Sequence, residues 1–223
     1  MRQPCPKPGV AGTGFTLIEL LVVVAVLGTI MALILPRLFS TGVSAQINAC
    51  SVAIKDLAGV ARSHDTETGD FPRDSLALFP REFKVKVDKT NPGIEAFLID
   101  LALARTPSGT TYLDDLRSSG NLCNQDEDKA GALLGYLESM EQYEVQDPWG
   151  GVLVYFHHRG YGTAQEVSDP LGAAGSGETV TVKAVTDPTT GRYYEPHRFQ
   201  IISAGPDMEF GTDDDIHNFK KRD

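Results

Sequence analysis

Apolar residues crowd into the start of this chain and thin out beyond it. From Phe15 to Leu35 only Thr16, Glu19, Gly28 and Thr29 interrupt an apolar run. As a helix rising about 1.5 Å per residue, that run would be roughly 31 Å long, the thickness of a bilayer core. It predicts a transmembrane helix over 15–36. Beyond it, Phe39, Val43, Ile47, Cys50, Ile54, Leu57 and Ala61 recur every three or four positions. That period predicts an amphipathic continuation over 37–64, whose apolar stripe needs a core to cover it. The polar stretch DTETGDFP ends it.

The middle, 65–144, has a weaker pattern. NPGIEAFLIDLALA (91–104) predicts a helix starting at Asn-Pro, with Ile94, Phe97, Leu98 and Leu101 on its apolar face. YLDDLRSSGNLCNQDEDKA reads as a short helical turn and a polar loop, and GALLGYLESMEQ as another short helix. Strand signals gather in 145–223. DPWGGVLVYFHH follows a turn at Asp147–Gly150, ETVTVKAV alternates over 178–185, and RFQIISAG covers 198–205. The simple packing solution is an α+β fold with a small antiparallel sheet laid over the long helix.

Charge adds orientation. The N-terminal flank carries Arg2 and Lys7 and no acid, which predicts a cytoplasmic N-terminus and a translocated C-terminal domain. A cleaved secretory signal would have a shorter apolar region, about 7–15 residues, followed by small residues; here the run ends in Pro-Arg. The formal net charge of −10 argues against a nucleic-acid partner.

Glu19 raises a question, because a carboxylate inside a membrane helix is costly unless it reaches the interface or meets a cation. Cleavage after Gly14 would supply that cation, the free amine of Phe15 one helical turn from Glu19. In a helical stack of identical chains, the amine would meet Glu19 of a neighbour.

The stretch GFTLIELLVVVAVLG resembles the class III signal of type IV pilins and type II secretion pseudopilins. The resemblance implies cleavage by a prepilin peptidase between Gly14 and Phe15, methylation of Phe15, and a role for Glu19 in filament recruitment and register. Gly28 and Pro36 fall where the family's filament subunits carry helix-breaking residues, so the helix between them is expected to bend or melt on assembly. The implied fold is pilin-like, a long spine helix packed on a C-terminal sheet. The DPWG turn resembles the opening of the β-region in the major pseudopilin, although 70–145 is longer than its counterpart there.

SAGPDMEFGTDDDIHNF concentrates Asp207, Glu209, Asp213, Asp214 and Asp215. Read from residues alone, it is either a solvated acidic loop or a set of hard oxygen ligands suited to Ca²⁺. The resemblance implies structural calcium, with Asp207 and Asp214 or Asp215 as side-chain ligands and backbone carbonyls near Ala204 and Thr212 completing the shell. Asp126, Glu127 and Asp128 are read as a solvated loop. Once the leader is removed, Cys50 and Cys123 remain; they either pair in an oxidising compartment or stay as thiols, Cys50 buried on the helix stripe.

No histidine, serine or cysteine falls in a spacing that suggests catalysis, and the chain is expected not to be an enzyme. The expected role is a structural pseudopilin of a type II secretion filament, held at the inner membrane with its domain in the periplasm. Its expected partners are its own copies, other pseudopilins, the prepilin peptidase and the inner-membrane assembly platform. Two alternatives are a minor type IV pilin for adhesion, motility or DNA uptake, and a membrane-anchored calcium-binding module.

Overall fold

A computed structural model of the chain describes residues 17–79, 81, 84–87, 89–104, 112–113, 116–117, 120–134, 139–171 and 178–221, with the backbone alone for 33–41. The chain divides into two units, Met1–Val43 and Ser44–Asp223. Helix α1 (Leu17–Thr68) contributes to both.

In the first unit, α1 presents large apolar side chains to solvent from Leu17, 82 % exposed, to Met31, 62 % exposed. In the second unit its stripe turns inward. Cys50, Ile54, Leu57, Ala58 and Ala61 are buried, while Val43 and Ile47 stay exposed. The helix stops at Gly69, whose φ of +83° only glycine adopts cheaply and whose N–H donates to the Asp65 carbonyl at 2.8 Å.

Helix α2 (Pro92–Leu103) lies at the centre of the second unit. Asn91 precedes it at φ +49°, and Pro92 opens it, where a missing N–H costs nothing. Its residues from Gly93 to Ala102 are buried on every side, Glu95 and Asp100 included. It packs on strand β3 (Val154–His157), with the Phe97 and Tyr155 rings 4.7 Å apart. A Cβ at Gly93 would stand 2.2 Å from the Tyr155 carbonyl oxygen, so only glycine allows this approach.

Strand β6 (Phe199–Ser203) lies between β3 and β7 (Ile216–His217) in an antiparallel sheet, Tyr155 opposite Ile201 and Ser203 opposite Ile216. Every residue of β6 is buried, as expected of a central strand covered on both faces. Two further antiparallel pairs are separate, β1 (Leu122–Cys123) with β2 (Glu144–Val145) and β4 (Gln165–Ser168) with β5 (Thr179–Val182). The Asp147–Gly150 turn forms as expected. Asp147 Oδ1 accepts from Trp149 and Gly151 N–H at 2.9 and 3.0 Å, and Oδ2 accepts from the Ser203 hydroxyl at 2.7 Å.

The structure corrects the expected pilin-like architecture, a transmembrane and amphipathic spine on one small sheet. Among the described residues, no helix is long and apolar enough to cross a membrane. The strands form three small antiparallel sheets instead of one, and 179–182 pairs with β4, not with β6. The helix at the centre of the packing is α2. The short helix expected from GALLGYLESMEQ is absent among its described residues; Lys129 and Glu141 form an isolated bridge there.

Candidate metal centre

Glu95 stands in the first turn of α2 and is fully buried. A carboxylate near a helix N-terminus is stabilised by the backbone dipoles, but complete burial of its charge still needs compensation. Across from it runs the loop between β1 and β2, which carries Asp126 and Asp128. Asn124 closes that loop on itself: its Oδ1 accepts from the Asp128 N–H at 3.2 Å, and its Nδ2 donates to the Asp128 carbonyl at 2.9 Å. Glu127 takes φ +58°, which turns the chain between the two aspartates.

These elements bring Glu95, Asp126 and Asp128 together, one ligand atom from each lying within 4.8 Å of the others. Asp128 is 2 % exposed, and Asp126 is half-buried at the rim. Fully buried Gln142 bridges the inner pair, its Nε2 donating at 2.6 Å to both Glu95 Oε2 and Asp128 Oδ2. Its Oε1 accepts from the Lys86 N–H at 2.7 Å, and Nε2 also reaches the Lys86 carbonyl at 3.1 Å. Each carboxylate therefore has partners in the protein, while one oxygen of each, Glu95 Oε1, Asp126 Oδ2 and Asp128 Oδ1, is buried and receives no hydrogen bond. This buried acidic group can hold a metal ion.

Glu144 flanks the group. Burial, followed by the charge of Asp126, pushes its carboxyl up to about 8, against hydrogen bonds from Asn91 Nδ2 at 2.9 Å and the Gln125 N–H at 3.1 Å. A fourth acid that resists ionising is what crowded negative charge in a low-dielectric pocket produces.

The residues singled out in the sequence lie elsewhere. Gly14 and Phe15 fall outside the described residues. Glu19 is exposed in the first turn of α1. Gly28 and Pro36 both lie within the bounds of α1, and a Cβ at Gly28 would meet nothing within 4 Å. Cys50 and Cys123 are both free thiols and do not pair. Burial pushes Cys50 up to about 11, with the Ser203 side chain as its hydrogen-bond partner, and pushes Cys123 up to about 12 beside Glu144.

The C-terminal acidic loop folds on its own backbone. Asp214 Oδ2 accepts from the Asp207 N–H at 3.1 Å and its Oδ1 from the Thr212 hydroxyl at 2.5 Å; Asp207 Oδ1 accepts from the Glu209 N–H at 2.9 Å and Asp215 Oδ2 from the Gly211 N–H at 2.9 Å. The Thr212 hydrogen bond holds the Asp214 carboxyl below its usual range, while burial raises Asp215 to about 6. Ala204 is buried beside the loop, and Gly205 at φ +71° turns the chain into it. Among the described residues, Asp207, Asp214 and Asp215 do not converge as Glu95, Asp126 and Asp128 do.

No protein-family model, curated protein or solved structure matches the chain.

The reading of Asp126–Asp128 as a solvated loop missed the interior group. One local signal was present, the alternation Asn124-x-Asp126-x-Asp128, the spacing with which calcium loops present successive ligands. Glu95 carried no such signal, since its partners lie on a distant loop.

Proposed function

We propose that the chain is a structural subunit of a type II secretion filament, a pseudopilin, matured by cleavage between Gly14 and Phe15. The observation that carries this reading is the GFTLIELLVVVAVLG stretch followed by exposed apolar side chains from Leu17 to Met31. A continuous apolar surface of that kind needs cover, and neighbouring copies in a filament provide it. Glu19 lies exposed at the start of α1, and in this reading it meets the Phe15 amine of a neighbour. The reading puts the leader on the cytoplasmic side of the inner membrane and the C-terminal unit in the periplasm. The role is structural, not catalytic.

Calcium is the cation we propose for this chain, on the chemistry of its donors. The donors in both acidic regions are carboxylate oxygens, which are hard ligands, and Ca²⁺ accepts six to eight oxygens in flexible geometry.

The test compares secreted proteins from a strain lacking the chain with those from its complemented parent. Exported proteins should accumulate in the periplasm and return to the medium on complementation. Glu19→Ala should insert normally and fail to restore export. Untouched export in the deletion strain, with surface pili lost instead, would move the chain to a type IV pilus.

A further inference from the structure

We infer that the calcium of this chain binds in the interior, among Glu95, Asp126 and Asp128, where it ties the β1–β2 loop to α2, and not in the exposed C-terminal loop. This rests on the calcium reading and is independent of the filament reading.

Three observations converge. The first is geometric: three carboxylates from two distant parts of the chain bring ligand oxygens within 4.8 Å of one another. At that separation in a poorly solvated site, like charges repel strongly, and a divalent ion at their centre reverses the sign of the interaction. The second is the environment of the oxygens. Gln142 satisfies one oxygen each of Glu95 and Asp128, and the second oxygen of each is buried without a hydrogen bond, as is Asp126 Oδ2. The side chains have their partners, and the oxygens left without a hydrogen bond belong to the same three residues that cluster. The third is access. Asp126 is half-buried, so an ion enters at the rim and keeps waters there, completing a shell that three carboxylates alone do not fill.

The C-terminal loop shares one of these features, since Asp215 Oδ1 is also buried without a hydrogen bond, but its carboxylates accept hydrogen bonds from the loop's own backbone and, among the described residues, do not form a group of three. A cation there would have to displace bonds already made.

Two other ways of balancing the interior charge compete with calcium: protons on the carboxylates, or the protein's own cations, such as Lys86, whose backbone meets the Gln142 amide. Titration of the chelator-stripped full chain in detergent with CaCl₂, followed by calorimetry, separates them. One high-affinity site is expected. Glu95→Gln and Asp126→Asn should each weaken it at least tenfold, and the double variant Asp207→Asn/Asp214→Asn should change it less than twofold. Asp126→Asn, at the rim, guards against a Glu95 variant that merely misfolds. Hydrogen exchange should show calcium-dependent protection of residues 120–130 and of α2. Absence of calcium binding by the stripped chain would overturn the assignment, as would a loss of affinity in the C-terminal double variant equal to that in the interior ones. Neither result bears on the export assay, so this assignment and the filament reading fail separately.

Discussion

The two acidic regions of this molecule have nearly the same composition and opposite fates. In the C-terminal loop, Asp207, Asp214 and Asp215 sit within a few residues of the N–H groups they accept from. Short-range hydrogen bonds fold the loop. In the interior, Glu95 meets Asp126 and Asp128 only because the fold brings α2 against the β1–β2 loop. Carboxylates satisfied locally gain little from an ion, whereas carboxylates assembled by tertiary structure create the demand for one. Asp70 shows a third solution: it pairs with Arg159 at 2.5 Å and His157 at 3.1 Å, so basic side chains supply the counter-charge.

The sharpest way to break this comparison is Gln142→Ala. It removes the amide that bridges two buried carboxylates and leaves their oxygens unsolvated. Loss of charged hydrogen bonds in a buried network should cost about 3 kcal/mol, read as a clear fall in melting temperature by circular dichroism, and calcium should restore part of it. A variant as stable as the parent would show that the bridge carries no strain. Next comes Gly205→Ala in the loop. The new Cβ would stand 2.3 Å from the Asp214 carbonyl oxygen at a φ of +71°, and the strain should cost about 1–3 kcal/mol. Calcium should not relieve it if the ion binds in the interior.

The smallest effect is expected at Asp70. Burial pushes its carboxyl up, but hydrogen bonds and charges from Arg159 and His157 outweigh this and hold it below the usual range. A folded pKa lowered below the unfolded value of about 3.9 means stability present above that pH and lost as pH falls through the folded pKa. Asp70→Asn should therefore be slightly less stable than the parent at pH 7, and the gap should close below about pH 4 in denaturant titrations. A gap that widens in acid would reverse this assignment.

Local pattern was legible and tertiary consequence was not. The stripe of Cys50, Ile54, Leu57 and Ala61 is buried as its spacing foretold, and the helix expected over 91–104 is α2, Pro92–Leu103. The strands at 154–157, 179–182 and 199–203 lie inside the stretches where strands were expected. Which strand pairs with which escaped the sequence, because pairing of 179–182 with 165–168 depends on turns and packing between distant residues. The expectation gave α2 one apolar face, Ile94, Phe97, Leu98 and Leu101, although the helix is enclosed on every side. An isolated acid reads as solvent-facing until its partners are known, and those of Glu95 lie on other elements. The apolar run at the start was read as spanning a bilayer, and among the described residues no helix is long and apolar enough to do so.

Gly93 sets the tolerance of the whole arrangement. A single hydrogen in place of a methyl lets α2 seat directly on the Tyr155 carbonyl. That contact acts as a mechanical stop: the helix can be pushed no closer and has no reason to sit farther away. Glu95, two residues on, inherits its coordinates from the stop. The gap that a cation would fill is thus gauged by a residue with no side chain, on the opposite side of the helix's job, and a lineage that changed Gly93 would detune the centre without touching a ligand.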